Sequence, residues 1–410
     1  MENLISFEKA IEIVLKETKI CGVEKVDILK SLGRFIAEDI FSPFDMPPFK
    51  RSAMDGYAIK FDDLSNTKIF EIKDEIKAGE EKIVEYEKGK CVLIMTGAKI
   101  PEGFDTVIKF EDTEEFVEEG KRKIKILKEI KKGENIAEKG EDFKKGDLLI
   151  KKGTFIDSGY MAIIAYCGIK KVLVYKKPEV GIIATGDEVK KIGEKLREGE
   201  IYDCNSYSIY GLVLKYGGIP EILGIAKDNK RSLKRYIEKG LEKDILILSG
   251  GVSEGKYDFV VDVFKEIGIE MKFWKVAVKP GKPTFFGKKG KTLIFGLPGY
   301  PVSTYINFEN LVRPAILKMQ GKKNFDRFKV VGILASDVEN KGDRDEFLRV
   351  IVKVENDENI VIPFKKQKSG VFTSIVNTNG LLYLKKGQKI KKGEKVIVSV
   401  TRSDLVSIFT

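Results

Sequence analysis

DILILSGGVSEGKYD (Asp244–Asp258), FWKVAVKPGKPTFF (Phe273–Phe286) and LIFGLPGYPVSTY (Leu293–Tyr305) follow one another within sixty-two residues, and their reading decides the fold. Ile245–Leu248 and Leu293–Phe295 are short apolar β-type runs, and each empties into a glycine-rich corner followed by a helical pattern. Phe273–Val278 ends instead in Lys-Pro-Gly-Lys. In an open α/β sheet, ligands gather at the carboxyl ends of strands, where loops meet helix N-termini. Glycine lets backbone N–H groups approach an anion, and the helix start after it favours negative charge. The corner residues Ser249, Gly250, Gly251, Ser253, Pro298, Gly299, Pro301 and Ser303 are therefore expected to contact a phosphorylated or oxyanionic ligand.

Outward from this stretch the alternation continues. Strand-like runs at Val180–Ala184, Glu221–Ile225, Ile245–Leu248, Met271–Val278 and Leu293–Phe295 are interleaved with helical patterns at Ser206–Tyr216, Asn229–Lys239, Asp258–Ile267 and Val302–Met319. That order predicts a mostly parallel sheet covered by helices on both faces, a three-layer α/β domain. Upstream, Phe7–Glu17 has the spacing of one helix face, and Val26–Leu32 suggests a second short helix. Residues from Ser52 to Ile150 read as short alternating strands punctuated by turns, a β-rich insertion. Beyond Gly321, short strands and polar turns predict a small β-barrel. The expected parts are residues 1–43 with 147–177, 44–146, 178–324 and 325–410.

Composition narrows the chemistry. The 410 residues include no histidine, which removes histidine triads, proton shuttles and histidine metal sites. Four scattered cysteines form no CxxC and suggest neither zinc nor disulfides. The net charge of +11 comes from lysines spread among many acids, which reads as a solvated surface and argues against a nucleic-acid partner. The Lys, Glu and Ile excess fits a high-temperature proteome. No apolar run reaches membrane-spanning length, and MENLISFEKA is not a signal peptide, so a cytoplasmic protein without membrane contact is expected. Catalysis must rest on carboxylates, lysines, hydroxyls, backbone and metal.

Three acidic corners supply carboxylates: Thr185-Gly186-Asp187-Glu188, Asp55-Gly56, and Gly140-Glu141-Asp142. Asp228 and Asp258 stand at or just before helix starts, where Asp also serves as an N-cap. Asp187 could cap a helix after its strand, leaving Glu188 freer. Carboxylates beside a phosphate site suit Mg²⁺. In a strand, Lys275 and Lys279 would share one face with Ala277 between them, a pair able to hold an oxyanion.

These motifs resemble the molybdopterin molybdenumtransferase family, which includes the C-terminal domain of gephyrin. The stretches that match are RSAMDGYA (Arg51–Ala58), MTGAKIPEG (Met95–Gly103), GEDF (Gly140–Phe143), TGDEV (Thr185–Val189), SGGVSEGKYDF (Ser249–Phe259), KVAVKPGKP (Lys275–Pro283) and GLPGYPVS (Gly296–Ser303). The resemblance implies a scaffold built from two segments, an inserted β-rich domain, the α/β domain and a C-terminal barrel. It implies a homodimer, and conversion of adenylylated molybdopterin and molybdate (or tungstate) to molybdenum cofactor and AMP with Mg²⁺. By motif position it implies functional roles for Asp55, Thr96, Asp142, Glu188, Asp228, Asp258, Lys275 and Lys279, with Thr185 and Gly186 at the substrate, Lys275 and Lys279 at molybdate, and Glu188 and Asp258 at the metal. A molybdopterin adenylyltransferase that supplies the substrate is an implied partner. The pattern departs at Tyr300, where the family commonly has Asn, and at Glu254 and Lys256. Rival readings are an inactive scaffold of the same fold, whose carboxylates would be eroded, and a molybdopterin adenylyltransferase, which would lack the flanking domains.

Overall fold

A computed structural model describes residues 4–251 and 257–402, with Tyr257, Asp258 and Phe259 described by backbone alone. The chain divides into two compact units, one of residues 1–38, 153–157 and 171–410, the other of residues 39–152 and 158–170.

The first unit opens with helix α1 (Phe7–Glu17), started by Ser6, whose side chain accepts the Lys9 N–H. Val23–Asp27 then forms a strand antiparallel to Lys171–Tyr175, and only Ile28–Lys30 makes a helical turn. The second helix expected over 26–32 is thus replaced: pairing with a strand nearly 150 residues away overrides a weak local periodicity.

The α/β part follows as β1 (Glu179–Thr185), α2 (Asn205–Lys215), β2 (Ile219–Ala226), α3 (Lys230–Gly240), β3 (Ile245–Ser249), α4 (Tyr257–Ile267), β4 (Glu270–Phe273), β5 (Phe285–Lys289), β6 (Thr292–Leu297) and α5 (Pro301–Asn307). The sheet order is β2-β1-β3-β6-β5-β4. The first four strands are parallel, and β5 and β4 complete the sheet by antiparallel pairing. Continuous apolar runs make such strands because both faces are covered. Alternation then sorts the side chains. Val180, Ile182, Ile245, Ile247, Leu293 and Phe295 join one core with Ile209 and Leu212 of α2 and Val302 and Ile306 of α5. Ile183, Leu246, Leu248 and Ile294 join the other, with Leu233 and Ile237 of α3 and Val263 and Phe264 of α4. The three-layer α/β reading therefore holds, with a mixed rather than fully parallel sheet.

One expected strand is corrected. The run Met271–Val278 is not one strand: β4 ends at Phe273 and is the sheet's edge. Val278–Lys279 pairs instead, in parallel, with Asp345–Glu346. Between them, Val276 bridges to Ile5, with Ile5 N–H donating to Lys275 O (3.1 Å) and Ala277 N–H to Ile5 O (2.7 Å). Two distant partners capture the segment, so it cannot extend the sheet.

The C-terminal strands close on themselves. Asp345–Glu355, Glu358–Pro363, Lys329–Leu334, Lys395–Val400 and Gly380–Leu384 pair in that order, and the last returns to Asp345–Glu355. Alternate residues such as Val350, Val352, Leu382 and Val398 fill the interior. In the second unit a six-stranded sheet runs Thr106–Lys109, Gly56–Ile59, Lys90–Ile94, Ile69–Ile76, Lys121–Ile126, Thr113–Glu118. Among the described residues no helix is long and apolar enough to cross a membrane.

Candidate functional site

The carboxyl ends of β1, β3 and β6 open into one cavity of about 490 Å³. Its wall brings together Thr185 at the end of β1 with Glu188 beyond it, Ser249 at the end of β3 with Gly250 and Gly251 beyond it, and Pro298, Gly299 and Pro301 after β6. Parallel strands in register place these three corners side by side: Ala184 is opposite Ser249, which is opposite Leu297.

The β3 corner needs glycine twice. Gly250 and Gly251 have φ of +89° and +72°, and a Cβ on either would meet Thr185 at 2.8 or 2.6 Å. The Thr185 hydroxyl, in turn, donates to Ser249 O at 3.4 Å. The Glu188 carboxylate folds over Gly186, where a Cβ would stand 2.7 Å from Oε2. Glu188 is thus held beside the corner, and it is exposed.

Asn205 ties the corners together. Its single NH₂ group donates to Ser249 Oγ and to Gly299 O, both at 2.8 Å, so both hydrogens are used. Sequence reasoning missed this residue. The available signal was the helix start after Asp203, whose carboxylate accepts the Ser206 N–H at 3.0 Å. Ile201, Tyr202, Asp203 and Cys204 complete the wall. Desolvation pushes the Cys204 thiol above its ordinary range, so it is not an activated thiolate.

The capping alternatives resolve in particular ways. Asn229 caps α3, accepting from Ser232 N–H at 2.9 Å, which leaves Asp228 outside that role. Asp228 borders a smaller recess shared with Thr185, Gly250 and Gly251. No helix starts directly after β1. Asp187 therefore does not cap one; it accepts the Asp228 N–H at 3.3 Å. Ser303 is buried in the first turn of α5 rather than on the wall. Asp258 lies in the first turn of α4, with its side chain outside the described residues, and Ser253, Glu254 and Lys256 lie outside them altogether.

Lys275 and Lys279 do not share one strand face. Lys279 forms an ion pair at 3.0 Å with Glu346, whose side chain is only 7% exposed. Glu346 is a second residue that sequence reasoning missed. The turn beyond is braced by α5: Asn307 donates to Gly281 O at 2.9 Å, and Thr284 Oγ1 donates to the same oxygen at 2.7 Å.

Asp55, Thr96 and Asp142 belong to the second unit. There Asp55 and Thr96 meet: the Thr96 N–H and hydroxyl both donate to Asp55 Oδ1, at 2.6 and 2.8 Å. Those two donors, the N–H first, hold the Asp55 carboxyl below the ordinary carboxylate range. Asp142 is exposed, its N–H donating to Met46 O at 2.9 Å.

Comparison with known proteins covers nearly the whole chain. Residues 5–168 match the MoeA N-terminal region (domains I and II), 181–318 a probable molybdopterin binding domain, and 331–400 the MoeA C-terminal region (domain IV). The molybdopterin molybdenumtransferase of Bacillus subtilis (strain 168) is 33% identical over 407 residues, covering 98% of this chain and 95% of that protein. The one from Haemophilus influenzae is 34% identical over 379 residues, covering 92% and 93%. Two structures of the molybdopterin biosynthesis MoeA protein from Pyrococcus horikoshii superpose with TM-scores of 0.84 and 0.81, at 36% and 34% identity, covering 98% and 97% of this chain and 100% of each of theirs.

Proposed function

The chain belongs to the molybdopterin molybdenumtransferase family, enzymes of molybdenum cofactor biosynthesis, and on that premise we propose that it converts adenylylated molybdopterin and molybdate (or tungstate) to the metal-loaded cofactor and AMP. The observation that carries this reading is the convergence of three strand ends on one cavity, with Asn205 bridging two of its glycine-bearing corners. Its glycine corners let backbone approach a phosphate closely, and Glu188 adds a carboxylate to the same wall.

Magnesium fits this donor set. Among the described residues no group of three acids or thiols is placed to enclose a cation. The Glu188 carboxylate beside the corners suits a hard cation that completes its shell from ligand phosphates and water. Glu188 and Asp258 would hold it; once bound, it supplies neutralisation of charge on phosphate oxygens. Asp228 and Asp55 act as catalytic carboxylates, Lys275 and Lys279 receive the oxyanion, and Thr96 and Asp142 bind substrate. The division into four parts, at residues 44, 147, 178 and 325, belongs to the same proposal. So do a homodimer, a cytoplasmic location and supply of substrate by a molybdopterin adenylyltransferase.

Anaerobic incubation of the full chain with adenylylated molybdopterin tests this reading. Release of AMP that depends on molybdate or tungstate supports it; no oxyanion-dependent release with either overturns it. The better of the two oxyanions identifies the metal.

A further inference from the structure

Tyr300 occupies a position that does not suit it unless something covers its ring. It is the N-cap of α5, where Ser, Thr, Asp or Asn would accept a backbone N–H, and its side chain makes no such bond. Its backbone is nevertheless fixed on both sides. Gly299 O accepts from Asn205 at 2.8 Å, Tyr300 O accepts the Thr304 N–H at 3.0 Å, and Pro301 follows. The ring therefore projects from a rigid root. It lies on the cavity wall and is 64% exposed. A residue that forgoes a cap and leaves an aromatic face in water breaks two local rules at once, and such breaks collect at functional sites.

The rest of the rim agrees. Ile201 and Tyr202, also on the wall, are 56% and 43% exposed, and the Tyr202 hydroxyl is tied to Glu194 O at 2.7 Å. The cavity thus has a glycine-lined end, at Gly250, Gly251 and Gly299, and an apolar, aromatic rim. We infer that Tyr300 is the face on which the planar nitrogen heteroaromatic ring of the ligand stacks, making it a binding and specificity residue for that ring. This rests on the function proposed above, whose substrate carries two such rings, adenine and pterin.

The test uses three probes on the full chain: AMP, pterin-6-carboxylate, and ribose 5-phosphate, which has the phosphate without a ring. Calorimetric titration of wild type, Tyr300→Phe, Tyr300→Ala and Tyr300→Asn is compared. Stacking of a base on an aromatic side chain predicts that the Ala and Asn variants bind a ring-bearing probe about tenfold more weakly. The Phe variant should stay within about twofold, and ribose 5-phosphate should not distinguish the four. Tyr300→Asn restores a capping side chain, so its melting temperature should hold or rise while its affinity falls. Loss confined to AMP assigns the ring as adenine; loss confined to pterin-6-carboxylate assigns it as pterin. Equal binding of both ring probes by wild type and Tyr300→Ala overturns the inference, as does an equal loss of ribose 5-phosphate binding. If wild type binds neither ring probe, the inference falls. Oxyanion-dependent AMP release then decides separately whether the function stands.

Discussion

Replacing Asn205 with alanine should damage catalysis far more than folding, and the structure sets both magnitudes. The change removes two hydrogen bonds of 2.8 Å, one to the Ser249 hydroxyl and one to Gly299 O. A hydrogen bond contributes about 0.5–1.5 kcal/mol net, which would bound the loss at about 3 kcal/mol. Gly299 is exposed, so water can replace the donor lost at its carbonyl, and only the bond to the buried Ser249 is lost outright. The low end, about 1 kcal/mol, is therefore expected. In scanning fluorimetry that is a fall of roughly 2–4 °C. The catalytic cost has another origin. Without the bridge, the corners after β3 and β6 are no longer held at a fixed separation, and a displacement of about 1 Å between groups that grip one ligand can cost about 100-fold. Oxyanion-dependent AMP release should drop by one to two orders of magnitude while the melting temperature falls by only those few degrees. Ser249→Ala, which removes only one of the two bonds, should lose less. An Asn205→Ala enzyme that is folded and within about threefold of wild type would refute the view that this bridge sets the site's geometry.

Glu188→Gln should lower AMP release strongly at unchanged thermal stability, because the carboxylate is exposed and rests against Gly186; a fall in melting temperature with activity intact would make it structural. Lys275→Ala and Lys279→Ala should each raise the molybdate concentration for half-maximal AMP release, and an unchanged molybdate dependence in both rejects the pair as an oxyanion site. Asp55 is held below the ordinary carboxylate range by Thr96, so its contribution to stability is present above about pH 4 and is lost as pH falls through its lowered value. Thr96→Val removes the hydroxyl but keeps the N–H, so a carbon-detected titration should show the Asp55 midpoint rising part of the way to the ordinary value. No movement would mean that the hydroxyl contributes nothing.

What could be read in advance follows from how local each signal is. β1, β3 and β6 are unbroken apolar runs ending in glycine, and burial on both faces leaves such runs few alternatives. Their corners were legible for the same reason. Lys275–Lys279 misled because Val276 and Val278 alternate with other residues like a strand, whereas its partners are Ile5 and Asp345–Glu346, far off in sequence. β5 was missed because Phe285–Lys289 has only two apolar side chains before the lysines begin. Asn205 looked like an ordinary helix-start residue; only the register of β3 with β6 shows what its amide reaches.

The capture of residues 275–279 by Ile5 on one side and Glu346 on the other also sets an order of events during synthesis. Glu346 emerges 67 residues after Lys279, which at about 5–20 residues per second is a wait of roughly 3 to 13 s. Once Leu297 has followed, the sheet from β1 to β6 has all its strands, but Lys279 has neither its ladder partner nor its counter-ion until Glu346 emerges. A ribosome stalled between Pro301 and Glu346 leaves a nascent chain that holds every residue of the cavity wall while Lys279 is still unset, so, on the role proposed for that lysine, the ability to take up the oxyanion should be among the last properties the growing polypeptide acquires.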